Sequence, residues 1–295
     1  DETKQNLVQQ IYTLIHFLSS FRPDVIHTHR YKENILGCFS AFLGGFPPVI
    51  TTIHGMAERK PESMRKCLIT WVDLFFKRYC NKKIVAVSDN IRDHLVQNEK
   101  FRPDKVRVVH NGIDVAITQK KHKRDSEMIT IGSAGRLFPV KDYPLMVEIA
   151  RNIKLMRANV RFLLAGNGPE RDAIQRCIDV NGMTESFQLL GEIHDMAGFY
   201  KRVDIYLNTS RHEGIPMTML EAMLNGIPVV APDVGGIGGI ITHGRDGFLI
   251  PSRDQQTYVD YLMALITSDE LMNIMGEQAR QKVITRFSRD VMVAQ

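Results

Sequence analysis

Short, uninterrupted apolar runs separated by helical segments are the feature of this sequence that most constrains its fold. Runs such as IVAV at 84–87, FLLA at 162–165 and PVVAP at 228–232 show no polar alternation. Parallel strands buried on both faces have this pattern, whereas strands with one solvent-facing side alternate. Segments with apolar residues at helical spacing lie between most of these runs. The sequence therefore predicts an α/β protein built from doubly wound parallel sheets.

A polar and basic stretch without periodicity divides the chain. It reads VAITQKKHKRDSE at 115–127 and has the composition of a linker between domains. We predict a first domain at 1–116, a linker at 117–126 and a second domain at 127–295. The chain opens with DETKQNLVQQIYTLIHFL, which reads as a helix already in progress. We therefore expect the first domain to be partial, with earlier elements preceding Asp1.

Composition narrows the class of protein and its partners. With 44% hydrophobic and 24% charged residues, the chain has an ordinary globular balance. The net charge of +5 is lower than a dedicated nucleic-acid-binding protein would carry, so we expect no nucleic-acid partner. A phosphorylated ligand or an anionic lipid surface fits this charge. Four cysteines without a Cys-x-x-Cys pair predict reduced, mostly buried thiols in a cytoplasmic protein.

Two loops that follow predicted strands of the second domain carry candidate ligand-binding groups. In parallel sheets, ligands bind outside the carboxyl ends of the strands. The loop GRLFPVKD places Arg136 and Lys141 close together, and two cations suit a diphosphate; solvated surface charge is the alternative. The glycine-rich turn AGNGPE precedes a helix, so its free N–H groups could face a ligand. A simple tight turn is the alternative there.

A third loop carries two glutamates in the stretch TSRHEGIPMTMLEAMLNGIPVVAPDVGG. Glu213 precedes Pro216 and is predicted in a loop. Glu221 lies about one turn into a helix that starts near Pro216 or Met217, because proline is well tolerated in a first helical turn. Glu221 could accept the two hydroxyls of a ribose, and Glu213 could hold a second polyol. The alternative is one helix-capping glutamate and one surface glutamate.

The start of this helix is a candidate phosphate site. Helix N-termini present unpaired N–H groups and the positive end of the helix dipole. The amides expected to face the phosphate are those of Met217, Thr218 and Met219. We also expect close backbone approach to a ligand at the glycines at 226, 235 and 236.

These segments resemble a known family. GRLFPVKD, LLAGNGPER, the Glu213–Glu221 stretch and RDGFLI follow the order and spacing of the retaining, Leloir-type, group-1 (family 4-like) glycosyltransferases with the Glu-x7-Glu motif. RPDVIHTH, TTIHG, AVSDNIRDHL and VHNGID resemble the first domain of that family. The resemblance covers essentially the whole chain. It implies the GT-B fold, with two Rossmann-like domains, the second binding a nucleotide sugar and the first on the acceptor side.

The resemblance implies catalytic roles for four side chains. Arg136 and Lys141 would neutralise the diphosphate of the donor, and Glu213 would contact the transferred sugar. His54, at the end of TTIHG, matches a first-domain histidine near that sugar. No cofactor, enzyme nucleophile or metal ion is expected. A UDP-, GDP- or ADP-sugar would be the donor substrate.

Further donor contacts are implied by the same resemblance. Glu221 would bind the ribose. The other positions are Ile193 for the base, Gly166 and Asn167 for the nucleotide, Thr218 and Met219 for the phosphates, and Gly214, Ile215, Pro216 and Met217 for the transferred sugar.

Three histidines near two predicted strand ends require separate consideration. His27 and His29 are two residues apart and share a strand face, and His54 follows a neighbouring strand. Such a trio could suggest zinc, but no cysteine or carboxylate completes the set. We expect a hydrogen-bonding role for His54, and a structural or cleft-edge role for the other two.

The helix predicted at 61–80 combines basic and aromatic residues. Arg65, Lys66, Lys77 and Arg78 accompany Trp71, Phe75 and Phe76. This pattern suits peripheral contact with the inner face of the plasma membrane. The alternative is an ordinary amphipathic helix packed on the sheet.

The expected reaction moves a sugar, with retention of configuration, to an acceptor hydroxyl in cell-surface polysaccharide or glycolipid synthesis. In the family, elements that would precede Asp1 carry a glycine-rich loop that touches donor and acceptor. A non-catalytic nucleotide-sugar-binding or interaction protein therefore stays open as an alternative. A nucleotide-sugar epimerase of the same architecture is a second alternative, which the glutamate pair disfavours. The complete set of Arg136, Lys141, Glu213 and Glu221 favours an enzyme.

Overall fold

The computed structural model describes residues 7–45, 48–55, 63–117, 127–157 and 159–295. The chain divides into two compact units, unit 1 (Asp1–His110) and unit 2 (Asn111–Gln295). Each unit contains one parallel sheet with accompanying helices, which confirms the predicted α/β class. The predicted linker lies outside the described residues except for Ile117, so its bounds stay a prediction. Within the described part of the chain, no helix is both long and apolar enough to cross a membrane.

Unit 1 has a four-stranded sheet in the order β1-β2-β3-β4. The strands are β1 (Ile26–Thr28), β2 (Val49–Ile53), β3 (Asn81–Ala86) and β4 (Val106–Val108). The helices are α1 (Leu7–Phe21), α2 (Tyr31–Gly44), α3 (Met64–Tyr79) and α4 (Asp89–Asp93), the last continuing into a π-helical turn, His94–Asn98. All strand pairs are parallel.

Helix ends in unit 1 follow the sequence signals. Gly45, with φ of 65°, ends α2 and donates its N–H to Ala41, because glycine adopts the left-handed region without a Cβ penalty. The Ser88 hydroxyl accepts from the N–H of Ile91 and caps α4. Serine is favoured at this position because its side-chain oxygen can accept from an N–H of the first helical turn.

A buried polar cluster joins α2, α3 and β3. Asn34 donates to Asp73 Oδ1 over 2.8 Å and accepts from Asn81 Nδ2 over 2.9 Å. Lys77 Nζ lies 2.6 Å from Asp73 Oδ2, and both side chains are nearly buried. Buried polar groups require such partners, so this cluster fixes how the two helices pack on the sheet.

Of the four cysteines, Cys38 alone is buried, while Cys67 and Cys80 are exposed; the expectation of mostly buried thiols is wrong.

Unit 2 has a six-stranded parallel sheet. Its strands are β5 (Ile129–Ala134), β6 (Val160–Ala165), β7 (Phe187–Gly191), β8 (Ile205–Leu207), β9 (Val229–Pro232) and β10 (Phe248–Ile250). Its helices are α5 (Tyr143–Met156), α6 (Arg171–Val180), α7 (Met196–Arg202), α8 (Met217–Leu224), α9 (Ile237–Ile240), α10 (Gln255–Ile266), α11 (Asp269–Arg286) and α12 (Arg289–Ala294). Short 3₁₀ turns lie at Val115–Ile117 and Pro139–Lys141 in unit 2, and at Pro103–Lys105 in unit 1.

Strand order in unit 2 is β7-β6-β5-β8-β9-β10. The chain adds β6 and β7 on one side of β5 and then crosses to add β8, β9 and β10 on the other. The order therefore reverses between β5 and β8, where Ile131 pairs with Ile205. In doubly wound sheets, ligands bind at the carboxyl ends of the strands at this reversal.

Apolar side chains of strands and helices form the core of unit 2. Each large one contributes about 1.5–3 kcal/mol when it leaves water. Fully buried members include Ile131, Phe162, Leu164, Ile205, Leu207, Met146, Ile149 and Leu262.

Helix α11 crosses the end of α8 at a glycine. A Cβ built on Gly276 would lie 2.1 Å from the carbonyl oxygen of Gly226. No side chain fits at that distance, so the backbones of α11 and of the turn after α8 meet directly. Gly226 itself has φ of 73° and ends the helix.

We expect Gly276→Ala to lower the free energy of unfolding by about 1–3 kcal/mol, because the added methyl overpacks this crossing. A helical glycine-to-alanine change without a clash would instead raise it by roughly 0.5–1 kcal/mol. Urea unfolding followed by circular dichroism measures the difference. Gly239→Ala is the matched control, since its Cβ would meet nothing within 4 Å. A stabilised Gly276→Ala protein would rule out the contact.

Candidate functional site

The predicted site residues of unit 2 cluster at the carboxyl ends of β5 and β8. The loop after β5 carries Arg136 and Lys141, and the loop after β8 carries Glu213 and leads into α8. Both strands are buried along their lengths. The charged side chains of these segments lie in the loops at the strand ends, where the reversal of strand order leaves a crevice.

Lys141 and Glu213 form an ion pair across this crevice. Lys141 Nζ lies 2.6 Å from Glu213 Oε1, and the side chains are only 20% and 10% exposed. The same oxygen accepts from the Ser210 hydroxyl over 2.6 Å and from the Asn208 amide over 3.4 Å. Three donors thus hold one carboxylate oxygen. The lysine ammonium has three N–H groups in all, so it can contact a second anion while it stays on Glu213.

The loop after β5 and the loop after β8 are hydrogen-bonded to each other close to the ion pair. The backbone N–H of Arg211 donates to the Val140 carbonyl over 2.8 Å, and the Thr209 hydroxyl donates to the Lys141 carbonyl over 3.0 Å. Asp142, with φ of 50°, accepts from the guanidinium groups of Arg211 and Arg253. These contacts fix the backbone from which Lys141 projects.

A closed cycle of hydrogen bonds attaches the start of α8 to the end of β5. The N–H of Ala134 donates to the Tyr206 oxygen over 3.3 Å, and the Tyr206 hydroxyl donates to Thr218 Oγ1 over 2.8 Å. The Thr218 hydroxyl in turn donates to the Ala134 carbonyl over 3.0 Å. Burial raises the pKa of Tyr206 to about 12, so its hydroxyl remains a neutral donor.

Helix α8 begins at Met217, as the position of Pro216 predicted. The amides of Met217 and Thr218 stand in the first turn, where helix geometry offers no intrahelical acceptor. The N–H of Met219 donates to the Pro216 carbonyl over 3.1 Å. The expectation that the Met219 amide is open to a phosphate is therefore wrong, because the first turn tightens onto Pro216. The side chains of Ile215 and Met219 are buried.

Glu221 lies on α8 and accepts from a tyrosine of α7. The Tyr200 hydroxyl is 2.8 Å from Glu221 Oε2 and 3.0 Å from the Thr218 carbonyl. Burial raises the pKa of the Glu221 carboxyl, and the hydrogen bond from Tyr200 offsets part of that rise. The carboxylate of Glu221 is thus half-buried, and its Oε2 accepts a hydrogen bond from Tyr200.

Arg136 lies at the edge of this group. Its guanidinium stacks over the Phe138 ring, 5.0 Å from the ring centroid, and its side chain is exposed. Ile193 follows β7 and is partly buried. The roles assigned to both residues stay predictions.

The glycine turn after β6 contacts the Arg136 loop. Gly166 donates its N–H to the Gly191 carbonyl over 2.7 Å, and Gly168 donates to Asn167 Oδ1 over 2.9 Å. The expectation of free N–H groups is therefore wrong for Gly166 and Gly168. A Cβ on Gly166 would lie 1.9 Å from the Gly135 carbonyl oxygen, so the turn supports the cation-bearing loop. Nucleotide contact by Gly166 and Asn167 remains a prediction.

The glycine pair after β9 supports the Glu213 loop in the same way. A Cβ on Gly235 would lie 1.8 Å from the Glu213 carbonyl oxygen, and one on Gly236 would lie 2.2 Å from that of Gly214. The close backbone approach that these glycines allow is to the protein itself, and not to a ligand as the sequence suggested.

The three histidines of unit 1 lie together, as their spacing predicted. His29 Nδ1 is 3.0 Å from His54 Nε2, and His27 Nε2 is 2.7 Å from the Thr52 hydroxyl. Burial, and then the neighbouring histidines, lower the pKa values of His27 and His54. No group of three or more His, Cys, Asp or Glu among the described residues could hold a metal ion. The role of His54 at the donor sugar stays a prediction.

The outer face of α3 is apolar. Met64, Leu68, Trp71, Phe75 and Tyr79 are exposed along it. Of the basic residues predicted to face a membrane, Lys77 pairs with Asp73 and Arg78 donates to the Glu99 carbonyl; the side chains at 65–66 lie outside the described residues. Peripheral membrane contact therefore stays a prediction.

Sequence reasoning missed the residues that hold the two glutamates and the start of α8. Tyr200 and Tyr206 lie in apolar segments and read as core residues, and Ser210 reads as part of a loop. A buried tyrosine usually finds a partner for its hydroxyl, and this was the available signal.

Together these groups form a candidate site in which donors suited to anions lie beside carboxylates suited to hydroxyl groups. Cations and the α8 N-terminus face the crevice from β5 and β8, and two carboxylates lie within the same group of elements. Such a set can hold a ligand that carries both phosphates and polyols.

Comparison with known proteins decides the family. A model described as glycosyl transferases group 1 matches residues 114–282, and one described as glycosyltransferase family 4 matches residues 2–117. The chain belongs to the group-1 glycosyl transferases. It is a glycosyltransferase of the hexosyl-transferring type.

Individual relatives of this glycosyltransferase are distant. It is 27% identical to an Escherichia coli UDP-Gal:alpha-D-GlcNAc-diphosphoundecaprenol alpha-1,3-galactosyltransferase, over 95% of this chain and 76% of that protein. It is 21% identical to the Staphylococcus aureus capsular polysaccharide biosynthesis glycosyltransferase CapM, over 92% and 74%. Anabaena HepE, solved with UDP-glucose, superposes with a TM-score of 0.85 at 20% identity, over 99% and 82%. This likeness supports the predicted GT-B fold class.

The histidine trio predicts a pH dependence of the glycosyltransferase's stability. Since the folded protein holds His27 and His54 below their ordinary pKa of 6.5, the unfolded chain binds more protons between the two values. The contribution of His27 and His54 to the free energy of unfolding is full above pH 6.5. It declines as the pH falls through the pKa values of the two histidines in the folded protein. Melting temperatures recorded from pH 8 to pH 5 measure this decline.

His27→Gln is expected to make that decline shallower. His16→Gln, on the exposed face of α1, is the matched control and should leave the slope as it is in the parent. Equal slopes for the parent and the His27 variant would contradict the assignment.

Proposed function

We propose that this glycosyltransferase moves a hexosyl unit from a nucleoside diphosphate sugar to an acceptor hydroxyl with retention at the anomeric carbon. The acceptor would be a sugar, polysaccharide or glycolipid of the cell surface. The observation that carries the proposal is the Lys141–Glu213 pair at the strand reversal, with the N-terminus of α8 and Glu221 beside it.

The charges of the site suit the leaving group. As the bond between the anomeric carbon and the phosphate oxygen breaks, negative charge accumulates on the diphosphate. Lys141, Arg136 and the amides at the start of α8 would stabilise that charge, and fixed donors of this kind each contribute on the order of 3 kcal/mol. Glu213 would orient the transferred sugar, and Glu221 would accept from the ribose hydroxyls.

The proposed step balances without an enzyme nucleophile. The acceptor oxygen forms a bond to the anomeric carbon on the face from which the diphosphate departs. The acceptor proton passes to the departing phosphate oxygen, and the products are the glycoside and a nucleoside diphosphate. Retention follows because attack and departure share one face.

The nucleotide is proposed by analogy with the relatives. The Escherichia coli relative is named for UDP-Gal, and HepE was solved with UDP-glucose. UDP is therefore the first donor fragment to test, with GDP and ADP as the competing bases.

Removing Lys141 or Glu221 is expected to weaken nucleotide binding. Lys141→Ala and Glu221→Ala each remove a charged partner, and such hydrogen bonds contribute about 1.5–3 kcal/mol, or on the order of tenfold to a hundredfold in Kd. Isothermal titration with UDP, GDP and ADP measures the loss. Arg151→Ala and Glu148→Ala, exposed on α5, change charge equally and should bind as the parent does. Unchanged affinity in both site variants would show that the site is wrongly assigned.

The stereochemistry of transfer tests the reaction itself. With a radiolabelled α-linked donor sugar and a panel of p-nitrophenyl hexosides, we expect an α-linked product by proton NMR. Lys141→Ala should lower kcat by about a hundredfold or more, because it removes a donor to the leaving group. A β-linked product would refute retention. Binding without transfer in the parent would instead favour a nucleotide-sugar-binding role.

A further inference from the structure

Tyr200 is almost completely buried between α7 and α8. Its side chain is 2% exposed, and its ring lies edge-on to Phe199, with the centroids 5.3 Å apart. The Asp195 carboxylate caps α7 by accepting from the N–H of Gly198 over 2.9 Å. The tyrosine therefore projects from a short, capped helix in a fixed direction.

The Tyr200 hydroxyl has two acceptors and one proton. Glu221 Oε2 lies at 2.8 Å, and the Thr218 carbonyl oxygen lies at 3.0 Å. Hydrogen bonds to an ionised carboxylate are shorter and about twice as strong as those between neutral groups. The proton is accordingly directed mainly to Glu221.

This contact limits the freedom of a side chain with three rotatable bonds. A glutamate in a crevice that holds no ligand can occupy several rotamers, and ordering it on ligand binding costs entropy. With Oε2 tied to a rigid phenol, the plane of the carboxylate is set in advance. Oε1 and the remaining lone pairs are left for other donors.

We propose that Tyr200 is the positioning residue of Glu221: its hydroxyl holds the carboxylate in the orientation that accepts the two ribose hydroxyls of a nucleoside diphosphate. The inference rests on the proposed function, which gives Glu221 the ribose. Tyr200 itself touches no ligand in this proposal and acts through the glutamate.

The electrostatics of the pair agree with this role. Burial raises the pKa of Glu221, and the hydrogen bond from Tyr200 lowers it. Burial also raises the pKa of Tyr200, and the nearby Tyr206 and Glu221 add to that rise. The phenol remains a neutral donor, and its hydrogen bond favours the charged form of the carboxylate, which is the form that accepts best from hydroxyls.

The test compares UDP with 2′,3′-dideoxy-UDP, which lacks both ribose hydroxyls. Tyr200→Phe should weaken UDP binding about tenfold, with dideoxy-UDP binding unchanged. The ratio of the two Kd values is the readout, because a purely structural role of Tyr200 would move both constants together. In a Glu221→Gln background, Tyr200→Phe should leave the ratio unaltered.

Tyr206→Phe is the matched control. This change removes another buried hydroxyl, which hydrogen-bonds to Thr218 Oγ1. In the cycle described above, the Tyr206 hydroxyl does not contact Glu221. It should therefore change the two Kd values by the same factor. Circular dichroism and a melting temperature for each variant separate unfolding from a change in affinity.

Two failures can be told apart. If the parent binds dideoxy-UDP as tightly as UDP, or Glu221→Ala binds UDP normally, the ribose role fails and takes the positioning role with it. If the parent discriminates and Glu221→Ala loses UDP, but Tyr200→Phe weakens both ligands equally or neither, the positioning role alone is overturned.

Discussion

The reversal of strand order between β5 and β8 is the constraint on which the site depends. Each strand is buried along its length, so its polar neighbours in sequence can reach water only at the strand ends. The loops that follow the two strands leave the sheet on either side of one crevice. An ion pair between Lys141 and Glu213, 72 positions apart in sequence, forms there because the backbone of the sheet brings their loops together.

Much of this placement could be predicted from local pattern. Continuous apolar runs identified parallel strands, and the rule that parallel carboxyl ends share an edge then placed Arg136, Lys141 and Glu213 in one region. Pro216 marked the start of α8, which begins at Met217. These inferences succeeded because each depends on a few consecutive residues and on a general property of parallel sheets.

The parts that could not be predicted depend on pairs that are distant in sequence. Tyr206 is hydrogen-bonded to Ala134, 72 positions away, and Tyr200 is hydrogen-bonded to Glu221, 21 positions away. The glycines at 235 and 236 indicated that another group approaches the backbone closely. The sequence did not identify that group, and the structure shows that it is the backbone carbonyls of the Glu213 loop. A glycine in a sequence indicates that a side chain would not fit at that position, but it does not identify the neighbouring group that occupies the space.

The two glutamates have partners of different kinds, and this difference has a physical consequence. Glu213 is held by an ammonium group at 2.6 Å, so its charge is largely compensated before any ligand arrives. Glu221 is held by a neutral phenol at 2.8 Å, so its charge is left to attract neutral hydroxyl donors, which bind an ionised acceptor best. A cation in place of Tyr200 would compete with those hydroxyls for the same lone pairs. Burial alone would favour protonation of Glu221, and a neutral donor opposes that tendency without compensating the charge.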